Sequence, residues 1–232
     1  MIKAVLWDLD GVLLDSASLH FISWQRLFNN LGRGFSYGDF TTTFGLCNDA
    51  ILRQNLGPLP REEIERLGFE KEELFRAKLR RKVVSLPGAV RLVKAVHARG
   101  RGQAVVSSAP RRNIDLALEG LGVAELFHAV VSDEDVEQGK PDPQGYLLAA
   151  EHLDVEPGEC VVVEDAPGGV AAGRAGGMKV IGLASSHSTE DLDEADLVVT
   201  SLEDERVWSC LLKWFPDNLT PPEAQSATDC RW

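Results

Sequence analysis

The feature that most constrains the fold is a regular alternation of short apolar runs and amphipathic segments, which begins after Pro87-Gly88. Strands are predicted at 103–107, 129–132, 160–164, 179–184 and 196–200. Helices are predicted at 89–99, 111–120, 143–153, 168–175 and near 203–214. Strands and helices that alternate at this spacing form parallel sheets covered by helices on both faces. We therefore expect an α/β fold.

The N-terminal third of the chain has a different pattern. The apolar run from Ile2 to Trp7 predicts another strand of the sheet, but nothing in residues 17–82, here called the helical insert, has a strand pattern. Its last part, 61–82, is rich in charge and leucine and predicts one or two solvent-facing helices. We predict a core made of 1–16 and 83–215, a separate domain at 17–82, and a loosely ordered tail at 216–232.

Composition and charge argue against some kinds of partner and predict where in the cell the protein is located. A net charge of −12 without a basic stripe argues against nucleic acid as a partner. No apolar run is long enough to span a membrane, and the start of the chain lacks a signal-peptide pattern, so a cytoplasmic location is expected. The four cysteines have no zinc-ligand spacing and are expected to be free, mostly buried thiols. A small, acidic protein of this kind is expected to be a monomer.

Two aspartates follow the first predicted strand directly. Asp8 and Asp10 are two residues apart, and Gly11 comes next. On an extended backbone this spacing places both carboxylates on one side, at a strand end where open α/β sheets bind ligands. Neighbouring carboxylates repel each other unless a cation lies between them, and Mg²⁺ prefers oxygen ligands. The alternative is an N-terminal turn in which Asp15 or Ser16 caps the following helix.

Three further strand ends carry polar residues. Ser107 and Ser108 follow one strand and could hold a phosphoryl group, although serine before a helix is more often a cap. Lys140 stands between a glycine and two prolines, which would hold it near a phosphoryl group; alternatively it is a solvated loop lysine. Glu164 and Asp165 end a strand of three valines and would complete an oxygen-ligand shell.

These four stretches, DLDGVLLDS, VVSSA, GKPDP and VVVEDAPGGVAAG, together resemble the haloacid dehalogenase superfamily. The resemblance extends from Ile2 to about Phe215. It implies a Rossmann-like parallel sheet with an inserted α-helical cap domain, and phosphoryl transfer from a small phosphorylated metabolite. Asp10 argues against true dehalogenase activity, because that branch usually lacks the second aspartate.

The resemblance also implies roles for the acidic residues. Asp8 would be the nucleophile and a metal ligand. Asp10 would be the general acid/base and would bind the metal through its backbone carbonyl. Glu164 and Asp165 would hold Mg²⁺ directly or through water. A carboxylate can act as nucleophile once a metal draws charge from the phosphate.

The remaining roles concern the phosphoryl group and the substrate. Ser107 would hold the phosphoryl oxygens, and Lys140 would neutralise the pentacoordinate transition state. The residues expected to contact phosphate or substrate are Leu9, Gly11, Ser107, Ser108, Lys140, His20 and Asn48.

Within the superfamily, the chain most resembles the β-phosphoglucomutase-like and phosphoglycolate phosphatase-like group, partly through the stretch DSASLHFISW around His20. His20 would either control the timing of catalysis or be only a half-buried histidine of the helix. The mutases carry a cap-loop arginine where this chain has Asn48, and Arg53, or Lys78 and Arg80, could replace it. We therefore predict a Mg²⁺-dependent phosphatase. A phosphosugar mutase and a non-catalytic metal- or phosphate-binding protein are the alternatives.

Overall fold

A computed structural model describes residues 1–43 and 46–214. This part of the chain contains a six-stranded sheet in the order β3-β2-β1-β4-β5-β6, in which every neighbouring pair is parallel. The strands are β1 (Ala4–Trp7), β2 (Gly102–Val106), β3 (Ala129–Val131), β4 (Cys160–Glu164), β5 (Lys179–Leu183) and β6 (Leu197–Val199). The predicted α/β fold with a parallel sheet is confirmed.

α-Helices occupy most of the connections between the strands, and one follows the last strand. They are α1 (Ala17–Asn30), α2 (Tyr37–Thr43), α3 (Asn48–Leu56), α4 (Arg61–Leu79), α5 (Ala89–His97), α6 (Arg111–Leu121), α7 (Gln144–His152), α8 (Pro167–Ala175) and α9 (Glu205–Trp214). All predicted strands, and the helices predicted after Pro87, agree with the structure to within about two residues at each end, an ordinary error for boundaries read from sequence.

Both faces of the sheet are buried, which explains why the strands are continuous apolar runs. Val5 and Trp7 of β1 belong to one hydrophobic cluster, while Ala4 and Leu6 belong to another on the opposite face. The first cluster includes residues of α5, α6 and α9, and the second includes residues of α7 and α8. The alternation of side chains along each strand therefore supplies two cores from one run of apolar residues.

The helical insert has no strand among its described residues, as predicted, and has a core of its own. Trp24, Phe28 and Phe35 pack together there, and the rings of Phe28 and Phe35 stack with centroids 4.7 Å apart. The division of the chain into a core and a separate cap domain stays a prediction.

The expectation that 61–82 faces solvent was wrong for one side of α4. Lys71, Glu72 and Arg76 are buried, although all three are charged. The sequence pattern predicted exposure because charged residues are rarely buried alone. Here Lys71 lies 2.7 Å from Glu72, and Arg76 donates a 2.6 Å hydrogen bond to Asn113 of α6, so these buried charges have partners.

Some of the predictions concern residues that the structure does not describe. The predicted tail, including Cys230, and Gly45 of the cap loop lie outside the described residues. Of the described cysteines, Cys160 is buried, Cys210 is partly buried and Cys47 is exposed, and all are free thiols. Among the described residues, no helix is long and apolar enough to cross a membrane.

Candidate active site

The sheet order brings the first and fourth strands together. The chain runs from β1 to β2 and β3 on one side, then returns to place β4 against the other side of β1. Open α/β sheets bind ligands at such a reversal of strand order, beyond the carboxyl ends of the strands. Trp7 pairs with Val163 in register, and the Asp8 backbone N–H donates to the Val163 carbonyl at 3.0 Å. Asp8 therefore emerges beside Glu164.

Gly11 allows the loop after β1 to approach the loop after β4. Its φ is +77°, a left-handed conformation that favours glycine. A Cβ at this position would lie 1.9 Å from Oδ2 of Asp165. Only glycine fits here, both for its backbone conformation and for the closeness of the Asp165 carboxylate.

Lys140 is held by the ends of three strands. Its Nζ donates to Asp8 Oδ1 at 2.6 Å, to the Val106 carbonyl at 3.0 Å and to Glu164 Oε1 at 2.5 Å. Three acceptors match the three N–H bonds of an ammonium group. Burial lowers the pKa of Lys140, but Asp8 and Glu164 outweigh it and raise the pKa well above its ordinary value. Lys140 is therefore a fixed cation beside Asp8, not a solvated loop lysine.

Glu164 accepts hydrogen bonds on both carboxylate oxygens and is only 1% exposed. Oε1 accepts from Lys140 and from the Tyr146 hydroxyl, the latter at 2.7 Å. Oε2 accepts from the backbone N–H groups of Asp165 and Ala166 at 3.0 and 3.2 Å. These donors fix the orientation of the Glu164 carboxylate.

Three carboxylates of this site form a group of the size that suits a metal ion. Asp8, Glu164 and Asp165 are buried, and each offers an oxygen within 4.8 Å of the others. Burial, opposed mainly by Lys140, raises the pKa of Asp8 well above its ordinary value. Burial and the Glu164 charge raise the pKa of Asp165 to about 7. The single ammonium of Lys140 does not balance the charge of three carboxylates. A set of oxygen donors of this kind fits a hard divalent cation.

Asp10 lies in a different environment from Asp8. Its Oδ1 is 3.4 Å from Nε2 of His20, and His20 Nδ1 is in turn 2.9 Å from Lys71 Nζ. The His20 ring also stacks on Phe75 at 4.2 Å. Burial raises the pKa of Asp10, but His20 outweighs that effect and the pKa is lowered. The two aspartates therefore differ in electrostatics: one carboxylate faces Lys140 and the acids, the other faces His20 and α4.

The serines after β2 differ from each other. Ser107 is buried and its Oγ accepts the backbone N–H of Ala109 at 3.2 Å, whereas Ser108 is exposed. The residue that caps α6 is Pro110, so Ser107 is not a helix cap. Ser107 stands at the same edge of the sheet as Asp8, because β2 and β1 are parallel neighbours. Leu9, also among the predicted contacts, has a buried side chain.

Asn48 lies at the start of α3 and contacts the buried charges of α4. Its Nδ2 donates to Glu72 Oε1 at 2.9 Å, and Glu72 Oε1 also contacts Lys71. The other oxygen of Glu72 accepts from Asn113 at 2.6 Å. Burial raises the pKa of Glu72, but Lys71 and His20 outweigh it and lower the pKa, so the buried group carries a negative charge.

Sequence reasoning missed a fifth loop, which follows β5. Ser185 donates to the Gly11 carbonyl, and Ser186 donates to Oδ2 of Asp165. His187 Nδ1 is 3.0 Å from the Asp165 carbonyl. The position of these residues after a strand was a signal that could have found them. Tyr146, in contrast, gave no such signal, since an aromatic residue in a helix usually belongs to the core.

Comparisons with known proteins agree with this geometry. Residues 2–177 match a family described as haloacid dehalogenase-like hydrolase. The chain is 31% identical over 206 residues to validoxylamine A 7'-phosphate phosphatase of Streptomyces hygroscopicus subsp. limoneus, covering 89% of this chain and 97% of that protein. It is 35% identical over 206 residues to hexitol phosphatase A of Escherichia coli (strain K12), covering 87% and 92%.

A solved structure agrees as well. The β-phosphoglucomutase of Clostridium difficile superposes with a TM-score of 0.82 and 25% sequence identity, covering 93% of this chain and 98% of that protein. The fold and the group to which the motifs pointed are thereby confirmed. The chain belongs to the haloacid dehalogenase-like hydrolases.

Proposed function

We propose that the protein is a Mg²⁺-dependent phosphatase of small phosphorylated metabolites that works through an aspartyl-phosphate. The observation that carries this proposal is the contact of Lys140 with both Asp8 and Glu164, beside a group of carboxylates that fits a divalent cation. A carboxylate, a fixed cation and a metal-sized acidic group at one switch point are the components that phosphoryl transfer to a carboxylate requires.

In the first step a carboxylate oxygen of Asp8 attacks phosphorus. The bond from phosphorus to the ester oxygen breaks, and its electron pair leaves with that oxygen. Asp10 delivers the proton that the leaving oxygen takes up, and its contact with His20 fixes the position of the Asp10 carboxyl group. Lys140 faces the charge that develops on the phosphoryl oxygens, together with the Ser107 hydroxyl.

In the second step water attacks the phosphorus of the aspartyl-phosphate. Asp10 takes a proton from this water, the acyl–phosphate bond breaks, and inorganic phosphate leaves while the Asp8 carboxylate is regenerated. Asp8, the Asp10 carbonyl, Glu164 and Asp165 would hold Mg²⁺, directly or through water. When bound, the ion supplies positive charge that offsets the charge of the phosphoryl group and the acids.

The surroundings of the cap-loop position favour a phosphatase over a mutase. A mutase must hold a bisphosphorylated intermediate at both ends, and Asn48 here pairs with the buried, negatively charged Glu72. Arg53 is exposed and lies 2.5 Å from Asp49, which offsets its charge. Lys78 lines a groove on α1 and α4 with Arg26 and Arg81. The pairing with Asp49 thus disfavours Arg53 as a substitute for the missing arginine, while the suggestion of Lys78 and Arg80 stays a prediction.

The substrate class follows from the relatives only. Two of them are named as phosphatases, one of validoxylamine A 7'-phosphate and the other of hexitol phosphates. We accordingly propose a phosphate monoester of a sugar, polyol or similar small metabolite as the substrate. A cytoplasmic location and a monomeric state, without nucleic acid or membrane as partners, belong to the same proposal.

The test is turnover of a phosphomonoester panel in Mg²⁺ and in EDTA. The panel includes hexitol phosphates, sugar phosphates, and β-glucose 1-phosphate with a trace of the 1,6-bisphosphate, and both free phosphate and glucose 6-phosphate are measured. Release of phosphate in Mg²⁺ and none in EDTA is expected. Formation of glucose 6-phosphate without phosphate release would establish the mutase instead. No reaction with any ester would favour the binding protein.

A further inference from the structure

Tyr146 contacts both Lys140 and Glu164, and the proposed mechanism does not use it. It stands in the first turn of α7 and is fully buried. Its ring belongs to the hydrophobic cluster beneath α7 and α8. Its hydroxyl leaves that cluster and donates to Glu164 Oε1 at 2.7 Å. The side chain thus has an apolar body in the core and a polar tip in the site.

Two contacts tie Tyr146 to the position of the Lys140 ammonium. Nζ of Lys140 lies 5.1 Å from the centroid of the Tyr146 ring, within the range of cation–π attraction. The oxygen of Glu164 that accepts from Lys140 is the same oxygen that accepts from the Tyr146 hydroxyl. A lysine side chain has four flexible carbons and is not rigid by itself. Its ammonium here is located by its acceptors and by the ring beneath it.

Because Lys140 and Tyr146 donate to the same Glu164 oxygen, the Tyr146 hydroxyl affects how strongly Lys140 is attracted to that oxygen. With the Tyr146 hydroxyl present, Oε1 of Glu164 is satisfied by two donors, so part of its charge is engaged by tyrosine. Without the hydroxyl, Lys140 would lose its competitor for that oxygen and would be attracted more strongly to it. The ammonium would then be less available to Asp8 and to a phosphoryl group on Asp8.

We propose that Tyr146 is a positioning residue that keeps Lys140 directed at the phosphoryl group, through the ring face under Nζ and the hydroxyl bond to Glu164. This inference rests on the proposed role of Lys140 in phosphoryl transfer. Loss of the hydroxyl should therefore raise the free energy of the transition state and leave substrate binding unchanged, because Lys140 acts on charge that develops during transfer.

The test is the substitution Tyr146→Phe, which keeps the ring and removes the hydroxyl. Tyr37→Phe is the matched control, because Tyr37 is 63% exposed on α2 and its ring packs against Phe21 and Phe40. For each protein we would measure kcat and KM on the best ester of the panel. Inhibition by vanadate and by inorganic phosphate, the Mg²⁺ concentration for half activity, and the melting temperature complete the set.

For Tyr146→Phe we expect kcat to fall about tenfold with little change in KM, the size of one weakened hydrogen bond to a charged group. The inhibition constant of vanadate, which mimics the five-coordinate phosphorus, should rise by the same factor, and that of phosphate should not. Tyr37→Phe should match the wild type. The Mg²⁺ requirement should be the same in all three proteins.

Other results would overturn the inference. An unchanged kcat and vanadate constant in Tyr146→Phe would show that the hydroxyl does not act through Lys140. Equal weakening of vanadate and phosphate, or a higher Mg²⁺ requirement, would assign the effect to general loosening or to the metal site. If instead the wild type hydrolyses no ester and binds no vanadate, the proposed function fails and this inference with it. An active wild type beside an equally active Tyr146→Phe rejects the inference alone.

Discussion

Replacing Asp165 by asparagine should make the metal-free protein more stable at neutral pH, although Asp165 is proposed as a metal ligand. Burial and Glu164 raise the pKa of Asp165 from 3.8 to about 7 in the folded protein. Folding therefore favours the protonated acid. The stability that this proton provides is full below about pH 4 and is lost as the pH rises through about 7. The neutral amide in the Asp165→Asn variant has no such dependence.

The magnitude follows from the size of the shift. Each unit of pKa corresponds to about 1.4 kcal/mol, and the acid is still half protonated at its pKa, so between pH 5 and pH 7 the wild type should lose about 2 kcal/mol relative to Asp165→Asn. Asp165 also raises the pKa of Asp8, so the substitution relieves a second buried acid and acts in the same direction. The amide oxygen of asparagine can still accept the hydrogen bond that Ser186 donates.

The assay is urea denaturation of both proteins in EDTA from pH 5 to pH 8, compared with the same series in Mg²⁺. In EDTA the free energies of unfolding should diverge as the pH rises, with Asp165→Asn the more stable protein at pH 8. In Mg²⁺ the wild type should regain stability, about 2.7 kcal/mol at a concentration one hundred times the dissociation constant, and the variant should gain little. Parallel pH profiles in EDTA would refute the argument.

Three further substitutions, one of them a control, test the packing around the site. Gly169→Ala should displace the Glu164 carboxyl group, because a Cβ at residue 169 would lie 1.9 Å from the carboxyl carbon. The overpacking should lower the free energy of unfolding by about 1–3 kcal/mol. The displacement of Glu164 should also lower kcat. Gly168→Ala in the same helix meets no atom within 4 Å and should have neither effect, as denaturation and turnover would show. Asn113→Ala removes hydrogen bonds to Glu72 and to the buried arginine of α4, and should destabilise the protein by about 1–3 kcal/mol in urea denaturation. Wild-type stability of that variant would mean that the buried charges of α4 do not depend on α6.

Much of the sheet could be predicted from sequence because its signals are local. Each strand is a short apolar run, and the helices between successive strands imply that the strands are parallel. Placing Asp8, Lys140 and Glu164 at one edge needed no further information, since parallel strands end at the same edge. The roles of the individual residues remain proposals, although their meeting is a structural observation.

The parts that sequence could not supply depend on which surfaces pack together. The buried charges of α4 have the same sequence pattern as a solvated helix, and only the position of α4 against α6 decides that Arg76 meets Asn113. The contact of Asp10 with His20 depends in the same way on where α1 leaves the loop after β1. Tyr146 differs from an ordinary core aromatic through its contacts with Glu164 and Lys140, which depend on how α7 packs against the sheet.

The central claim is that Asp8 carries the phosphoryl group during turnover. The most direct measurement is rapid acid quench of the enzyme with a ³²P-labelled ester and Mg²⁺, followed by borohydride reduction and peptide mass spectrometry. We expect label on the protein in the first turnover, reduction of residue 8 to homoserine, and neither in Asp8→Asn. Wild-type turnover without label at residue 8, or turnover retained in Asp8→Asn, would contradict it.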